Sequence, residues 1–455
     1  MYTATPAPPT PSATQNDTIS PHKTVPAVVY WIGLTSLLTD ISSEMVASIL
    51  PVFMFTVLQL SALQVGFFDG LYQGGAALVR VMFAYWADKY RNPKTFALLG
   101  YGLSFVAKIL LIVSAVGGML FVLVSLLIDR VGKGMRTAPR DALIAQHSDP
   151  ARMGASFGVH RSMDAAGALI GPFIALGFLL VWTQGFEALF ALSAAFALAG
   201  LAVLWLKVKP TSHSEGTAAA LSSNSNSNSN SNALPQASLS IADAARLLMR
   251  NPAYLQTLCI ASLLSVFTIS DGLFYLNVQQ QTQMPASTVT ALFAGSATVF
   301  MLTASFIGRL ADRTAPLRLF IGSYAVLWVL YVAWMALVQV FPQAIAPSIT
   351  GTTSLSATQV SLSLGIVVLM GLFYGANEGI LMASLVRQLP SQVLTTGLAL
   401  FTTVQGLVKI ASSTLYGWMW QTYGTPTANA VFALGLTLAM SLAVWIYHTK
   451  IKVKT

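Results

Sequence analysis

The stretch GRLADRTAPLR (Gly308–Arg318) closes a long apolar run, and a variant of it stands earlier as AYWADKYRNPK (Ala84–Lys94). Each copy sets an aspartate, Asp88 or Asp312, behind a small residue and follows it with a base, Lys89 or Arg313. Further bases come after, Arg91 and Lys94 in one copy and Arg318 in the other. The aspartates lie half a chain apart. A charged turn written once per half, between apolar segments, marks a duplicated unit and organises the rest of the sequence.

Composition names the solvent. Of 455 residues, 55% are hydrophobic and only 9% charged, against about 25% charged in soluble proteins. With a mean hydropathy of +0.68, the chain has too little polar surface to face water, so lipid surrounds most of it. The net charge of +9 does not indicate nucleic acid, because the bases fall in short clusters between apolar segments. Cys259 is alone and the five histidines are scattered, so no disulfide framework, metal site or cofactor is expected.

Apolar runs of about 20 residues give twelve candidate spans. Six precede a break: Pro26–Leu58, Val65–Ala87, Thr95–Val116, Met119–Gln146, Phe157–Thr183 and Phe186–Leu206. The break, Lys207–Leu239, holds a run of alternating Ser and Asn that cannot bury a core. Six more follow: Pro252–Val278, Ser287–Ala311, Pro316–Val340, Val360–Leu389, Val393–Gln421 and Thr427–Tyr447. The expected organisation is a disordered Pro/Thr/Ser-rich tail (1–24), a six-helix bundle (25–206), a linker (207–251), a second six-helix bundle (252–447) and a basic tail (448–455). The tail lacks the apolar stretch of a signal peptide. Just before the seventh span, SIADAARLLMRNP (Ser240–Pro252) reads either as a short helix on the membrane surface or as an extension of that span.

Lys and Arg set the orientation. The connections Gln59–Leu63 and Gln339–Gln359 contain neither. The alternate connections carry Lys89, Arg91 and Lys94; Arg152; Lys207, Lys209, Arg246 and Arg250; Arg313 and Arg318. Both tails are basic. This bias places both termini and the linker in the cytoplasm. Each copy of the repeated turn then lies at the cytoplasmic junction of the second and third spans of its half, as in a parallel-repeat transporter.

At these residues the chain resembles the major facilitator superfamily, over everything but the N-terminal tail and the linker. The resemblance implies an all-α membrane protein of two six-helix bundles with a solute path between them. The family's loop reads approximately G-x-L-A-D-R-x-G-R-K, which GRLADR (Gly308–Arg313) follows closely. The first copy departs from it at Ala84, Trp86 and Arg91. The resemblance makes Asp88, Lys89, Arg91, Gly308, Asp312 and Arg313 a conformational latch, with Arg140 and Asp141 as partners; the plain alternative is a topogenic turn. DRVGKG (Asp129–Gly134) is similar to the fourth-span R-x-x-Q-G element, Lys133 standing in the glutamine place. GALIGPFIA (Gly167–Ala175) resembles the antiporter pattern G-x-x-x-G-P-x-x-G-G through Gly167, Gly171 and Pro172. Independently of the name, small residues at spacing four admit a close neighbouring helix.

A charge near the bilayer centre costs about 2.5–3.5 kcal/mol on an insertion scale, so each needs a partner or a purpose. Asp40 and Glu44, four apart, share one face of the first span and should not both ionise, as proton coupling requires. Asp129, Lys133, Arg136 and Arg140 form a stripe that must look into the bundle. Arg130 follows Asp129 and joins the candidate proton path of Asp40, Glu44 and Asp129. Lys108, Lys133, Asp271, Glu378 and Lys409, with the aromatic Tyr72, Phe274 and Tyr374, are candidates for the substrate cavity. For Lys108 and Lys409 an internal pair that tightens packing is equally open. Asp69, Arg80, Arg161 and Asp164 read as structural.

The expectation is a monomeric, proton-coupled exporter of a small organic solute in a bacterial inner membrane. Proton-coupled uptake of an anionic metabolite or chelate is the alternative within transport. An embedded enzyme lacks a nucleophile–base pair, and a sensor lacks an output domain.

Overall fold

A computed structural model describes residues 25–90, 92–149, 152–209, 241–340, 356–390 and 393–449. Among them the chain is helical with no strand. The first half contributes α1 (Ala27–Val52, continued by a π turn at Phe53–Val57), α2 (Ala62–Tyr90), α3 (Pro93–Ile112), α4 (Met119–His147), α5 (Met153–Val181) and α6 (Phe186–Lys207). The second contributes α7 (Pro252–Val266 and Asp271–Thr282), α8 (Ala286–Arg313), α9 (Pro316–Val340), α10 (Ala357–Gln388), α11 (Leu394–Tyr423) and α12 (Thr425–His448).

Ten of these are long and apolar enough to cross a membrane. The other two, α2 and α4, have 29 residues each and so the length to cross; charge lowers their hydropathy. α4 alone carries Asp129, Arg130, Lys133, Arg136, Arg140 and Asp141. Its position explains how the fold tolerates them. α4 packs between α2 and α3, and Gly132 sits against the backbone of Gly100 on α3, so the stripe is turned inward.

Helix ends follow local chemistry. Asn92 caps α3 by accepting from Thr95 N at 3.2 Å, with Pro93 at the first helical position. Asn251 caps α7, accepting from Ala253 N and Tyr254 N. Ile241–Arg250 is therefore a separate helix, not an extension of the seventh span. Its Leu248 is buried and lies close to Gly397 of α11. The break in α7 could not be read from the apolar run. Side chains satisfy its freed backbone: Ile269 N donates to Tyr331 Oη at 2.7 Å, and Ser412 Oγ to Thr268 O at 2.8 Å.

The bundles meet along α2 and α11, and along α5 and α8. On the first seam Gly66 faces Gly417, Gly70 faces Ile410 and Ser413, and Gly74 faces Gly406, main chain against main chain. Among the described residues, bonds between the bundles gather in the middle and on the side away from the termini. Leu63 N donates to Gln421 Oε1, Thr403 Oγ1 to Ala77 O and Ser413 Oγ to Asp69, and Phe55 stacks on Trp420. One apolar core runs through both bundles, while a separate cluster of Val29, Ile32, Ala97, Tyr101, Leu143, Ile144, Leu204 and Val208 fills the terminus side of the first bundle. Among the described residues these cross-links hold the bundles together from the middle to the side away from the termini.

Candidate functional site

The deepest charges form a triad. Lys108 of α3 binds Asp129 Oδ1 at 3.1 Å, and Arg130 binds Oδ2. The three are 1%, 2% and 5% exposed. Arg130 also donates to Tyr72 O at 2.8 Å, and its guanidinium lies 3.9 Å from the Tyr72 ring centroid. Tyr72 Oη in turn donates to Ser43 O at 3.0 Å. These bonds tie α1, α2, α3 and α4 together. Lys108, a candidate for the solute cavity, is instead an internal pair: it is buried and, among the described residues, bonded to Asp129 alone.

About two turns further along α4, Arg136 binds Ser104 and lies 4.8 Å from the Tyr101 ring centroid. Arg140 reaches Asp141 at 3.0 Å and Asp164 of α5 at 3.7 Å. Its Nη1 is 3.5 Å from Ser36 Oγ, which also bonds His160 Nε2 at 2.9 Å and Tyr101 Oη at 3.2 Å.

Asp164 is the residue that the sequence reading set aside as packing. Its carboxyl lies against that of Asp40, close enough for the two to interact directly. The spacing of Asp40 and Glu44 does set them on neighbouring turns of α1, but the partner in contact with Asp40 comes from α5. Both acids act electrostatically on Lys133, which is half-buried and, among the described residues, in no ion pair within 4.0 Å. The antiporter-like glycines lie beneath the acids. A side chain at Gly167 would meet Asp40 Cβ at 3.1 Å, and one at Gly171 would meet Glu44 Cβ at 2.9 Å. Pro172 follows within α5. The stripe on α4, the acids on α1 and the small residues on α5 therefore converge on one site.

Other candidates fall elsewhere. Phe274 is 0% exposed and packs on Tyr331 and Trp334, so it belongs to the second bundle's core. Tyr374 is half-buried beside Phe373. Asp271 accepts from Gln73 Nε2 at 3.3 Å across the bundle boundary. Lys409 is exposed on α11, away from the cluster. The side chains of Asp88, Lys89, Asp312 and Glu378, and Arg91 entirely, lie outside what the structure describes. Arg140 and Asp141, their expected latch partners, bind each other. Gly308 has open space around its Cα and Arg313 is exposed.

Two helical bundles meeting along paired helix seams, with a charged cluster enclosed between α1, α4 and α5, are the make-up of a multi-pass membrane transporter. The family model described as Major Facilitator Superfamily matches residues 32–413, and the chain belongs to that family. An uncharacterised MFS-type transporter of Methanocaldococcus jannaschii is 37% identical over 186 residues, 40% of this chain and 45% of the relative. The fosmidomycin resistance protein of Escherichia coli is 25% identical over 171 residues, 38% of this chain and 41% of the relative. The chain thus matches less than half the length of these curated relatives. Among solved structures, a POT family transporter bound to 5-aminolevulinic acid aligns with a TM-score of 0.70 at 14% identity, covering 94% of this chain and 97% of that one. A nucleoside transporter, NupG, aligns at 0.68 and 12% identity over 92% and 100%. At such identities these last two speak for the fold.

Proposed function

We propose that this protein is a proton-coupled antiporter that exports a small organic solute from a bacterial cytoplasm by alternating access. It works as a monomer, with each six-helix half moving as a domain. The observation that carries the reading is the contact between Asp40 and Asp164. Two neighbouring buried carboxyls hold one proton between them, because two bare charges would repel. Arg140, reaching Asp164, and Lys133, facing Asp40 and Glu44, favour release of that proton when either draws nearer. Solute entering from the cytoplasm and the shared proton then compete for one charged site, which is the coupling an antiporter needs. Export is supported by the Gly167, Gly171 and Pro172 pattern and by the relative named for resistance to fosmidomycin.

The bases around the site support one second reading. Lys133, Arg136 and Arg140 on one face would also suit uptake of an anionic metabolite with protons. Everted vesicles separate the two: given solute on the cytoplasmic side, an exporter dissipates a preset pH gradient. Asp40→Asn should abolish gradient-driven transport yet keep solute exchange, which moves no net proton. Full gradient-driven transport by both Asp40→Asn and Asp164→Asn would overturn proton carriage by this pair.

A further inference from the structure

Asp69 is a second buried acid, on α2 and outside the α4 stripe, and no transport step described so far uses it. It sits on the outer third of α2, is 5% exposed, and lies where three elements from both bundles meet. Ser413 Oγ of α11 donates to its Oδ2 at 3.1 Å. Ser270, the residue that caps the second limb of α7, stands close by. The backbone of that limb comes close enough that a side chain at Gly272 would meet Asp69 Oδ1 at 2.9 Å and Pro51 of α1 at 2.9 Å. Beside it a small pocket between the bundles is lined by Ala47, Tyr72, Gln73 and Phe293 among others.

Among the described residues this carboxyl has no ion pair. The charged groups that act on it are Asp271 of α7, a like charge, and Lys409 of α11, whose side chain is exposed. Burying a carboxylate without a counter-ion is costly, and a neighbouring acid adds to the cost, whereas a protonated carboxyl needs only its hydrogen bonds. The junction exists only while the bundles touch at their outer ends. Parting them would wet Asp69 and let it ionise.

We propose that Asp69 is the gating acid of the outer entrance: the bundles close over it only after it takes a proton from the outside. The carboxyl gains one proton on closing and returns it to the outside on opening, so the step balances without entering the cytoplasm. It makes closure of the empty, outward-open carrier dependent on external acidity. The idea rests on alternating access, and it adds a proton-dependent step to the proposed function without depending on the Asp40–Asp164 pair.

The test is labelling from outside, in intact cells, of a cysteine at Ala47 in a Cys259→Ala background, with an impermeant maleimide. A cysteine at Gln184, in the exposed turn between α5 and α6, corrects for the pH dependence of the reagent and reports insertion. Closure that binds one proton shifts the open population by up to about tenfold per pH unit, so corrected labelling should fall at least roughly tenfold from about pH 8.5 to about pH 5.5. Asp69→Asn, isosteric and neutral, should label slowly at both, and Asp69→Glu should recover the pH response. No pH response in the parent, or an unchanged one in Asp69→Asn variants that label normally at Gln184→Cys, overturns the proposal. Labelling requires no transport, so a failure of gradient-driven export would leave this result readable.

Discussion

Replacing Asp129 with Asn should destabilise the protein far more than replacing Lys108 with Met, although each change cuts the same 3.1 Å ion pair. The triad holds two positive charges and one negative, all buried. Lys108→Met leaves Asp129 and Arg130 as a neutral pair, with Arg130 still bonded to Tyr72 O and stacked on its ring. A well-packed apolar replacement of one buried charge costs about 0–1.5 kcal/mol. Asp129→Asn leaves Lys108 and Arg130 facing each other across a neutral amide, and removing one partner of a buried pair costs about 3–5 kcal/mol. The gap of about 3 kcal/mol is roughly a hundredfold in the folding equilibrium. Unfolding titrations of the purified variants in mild detergent read it directly. The double variant should recover part of the loss, since only Arg130 then remains unneutralised. Single variants of equal stability, within about 0.5 kcal/mol, would refute the charge balance argued here.

Other consequences are as direct. Gly171→Ala should cost about 1–3 kcal/mol by overpacking and slow transport, because its methyl would meet Ile41 O at 2.7 Å; Gly177→Ala, with open space around it, is the control in the same thermal and uptake assays. Lys133→Gln should raise KM for an acidic solute about tenfold or more, the worth of a charged hydrogen bond, and leave KM for a neutral one unchanged. Asp88→Asn and Asp312→Asn should leave insertion intact and shift the balance between inward- and outward-facing states, read by the same cysteine labelling; wild-type rates in both would reduce the repeated turn to a topogenic signal.

The spans were legible because length and apolarity are local properties of the sequence. So was the inward stripe of α4, since a helix with four charges at spacings of four, three and four cannot show them to lipid. The Asp40–Asp164 contact was not, because periodicity relates residues on one helix and says nothing of which helix lies opposite. One signal could have found it. Gly167 and Gly171 announce that α5 packs tightly on another helix, and Asp164 stands one turn before Gly167 on that same strip. Phe274 was misplaced for a related reason: an aromatic side chain on a cavity-lining helix serves the core as readily as the cavity, and only the positions of Tyr331 and Trp334 decide it. The break in α7 is invisible to hydropathy, as SVFTIS (Ser265–Ser270) is apolar enough to pass for continuous helix.

The seam between α2 and α11 has a consequence for inheritance. Where Gly66, Gly70 and Gly74 meet Gly417, Ser413 and Gly406, the contact is made by main chain. A larger side chain on one helix cannot be offset by a smaller one on the other, because most of the opposing positions have no side chain left to lose. The two halves of the duplication are therefore not free to drift apart along this line, however far they diverge elsewhere. A chimera joining the first bundle of one relative to the second bundle of another should assemble only where these small residues match on both sides. Positions such as Gly102 and Gly365, where an added Cβ would meet only open space, carry no such mutual constraint.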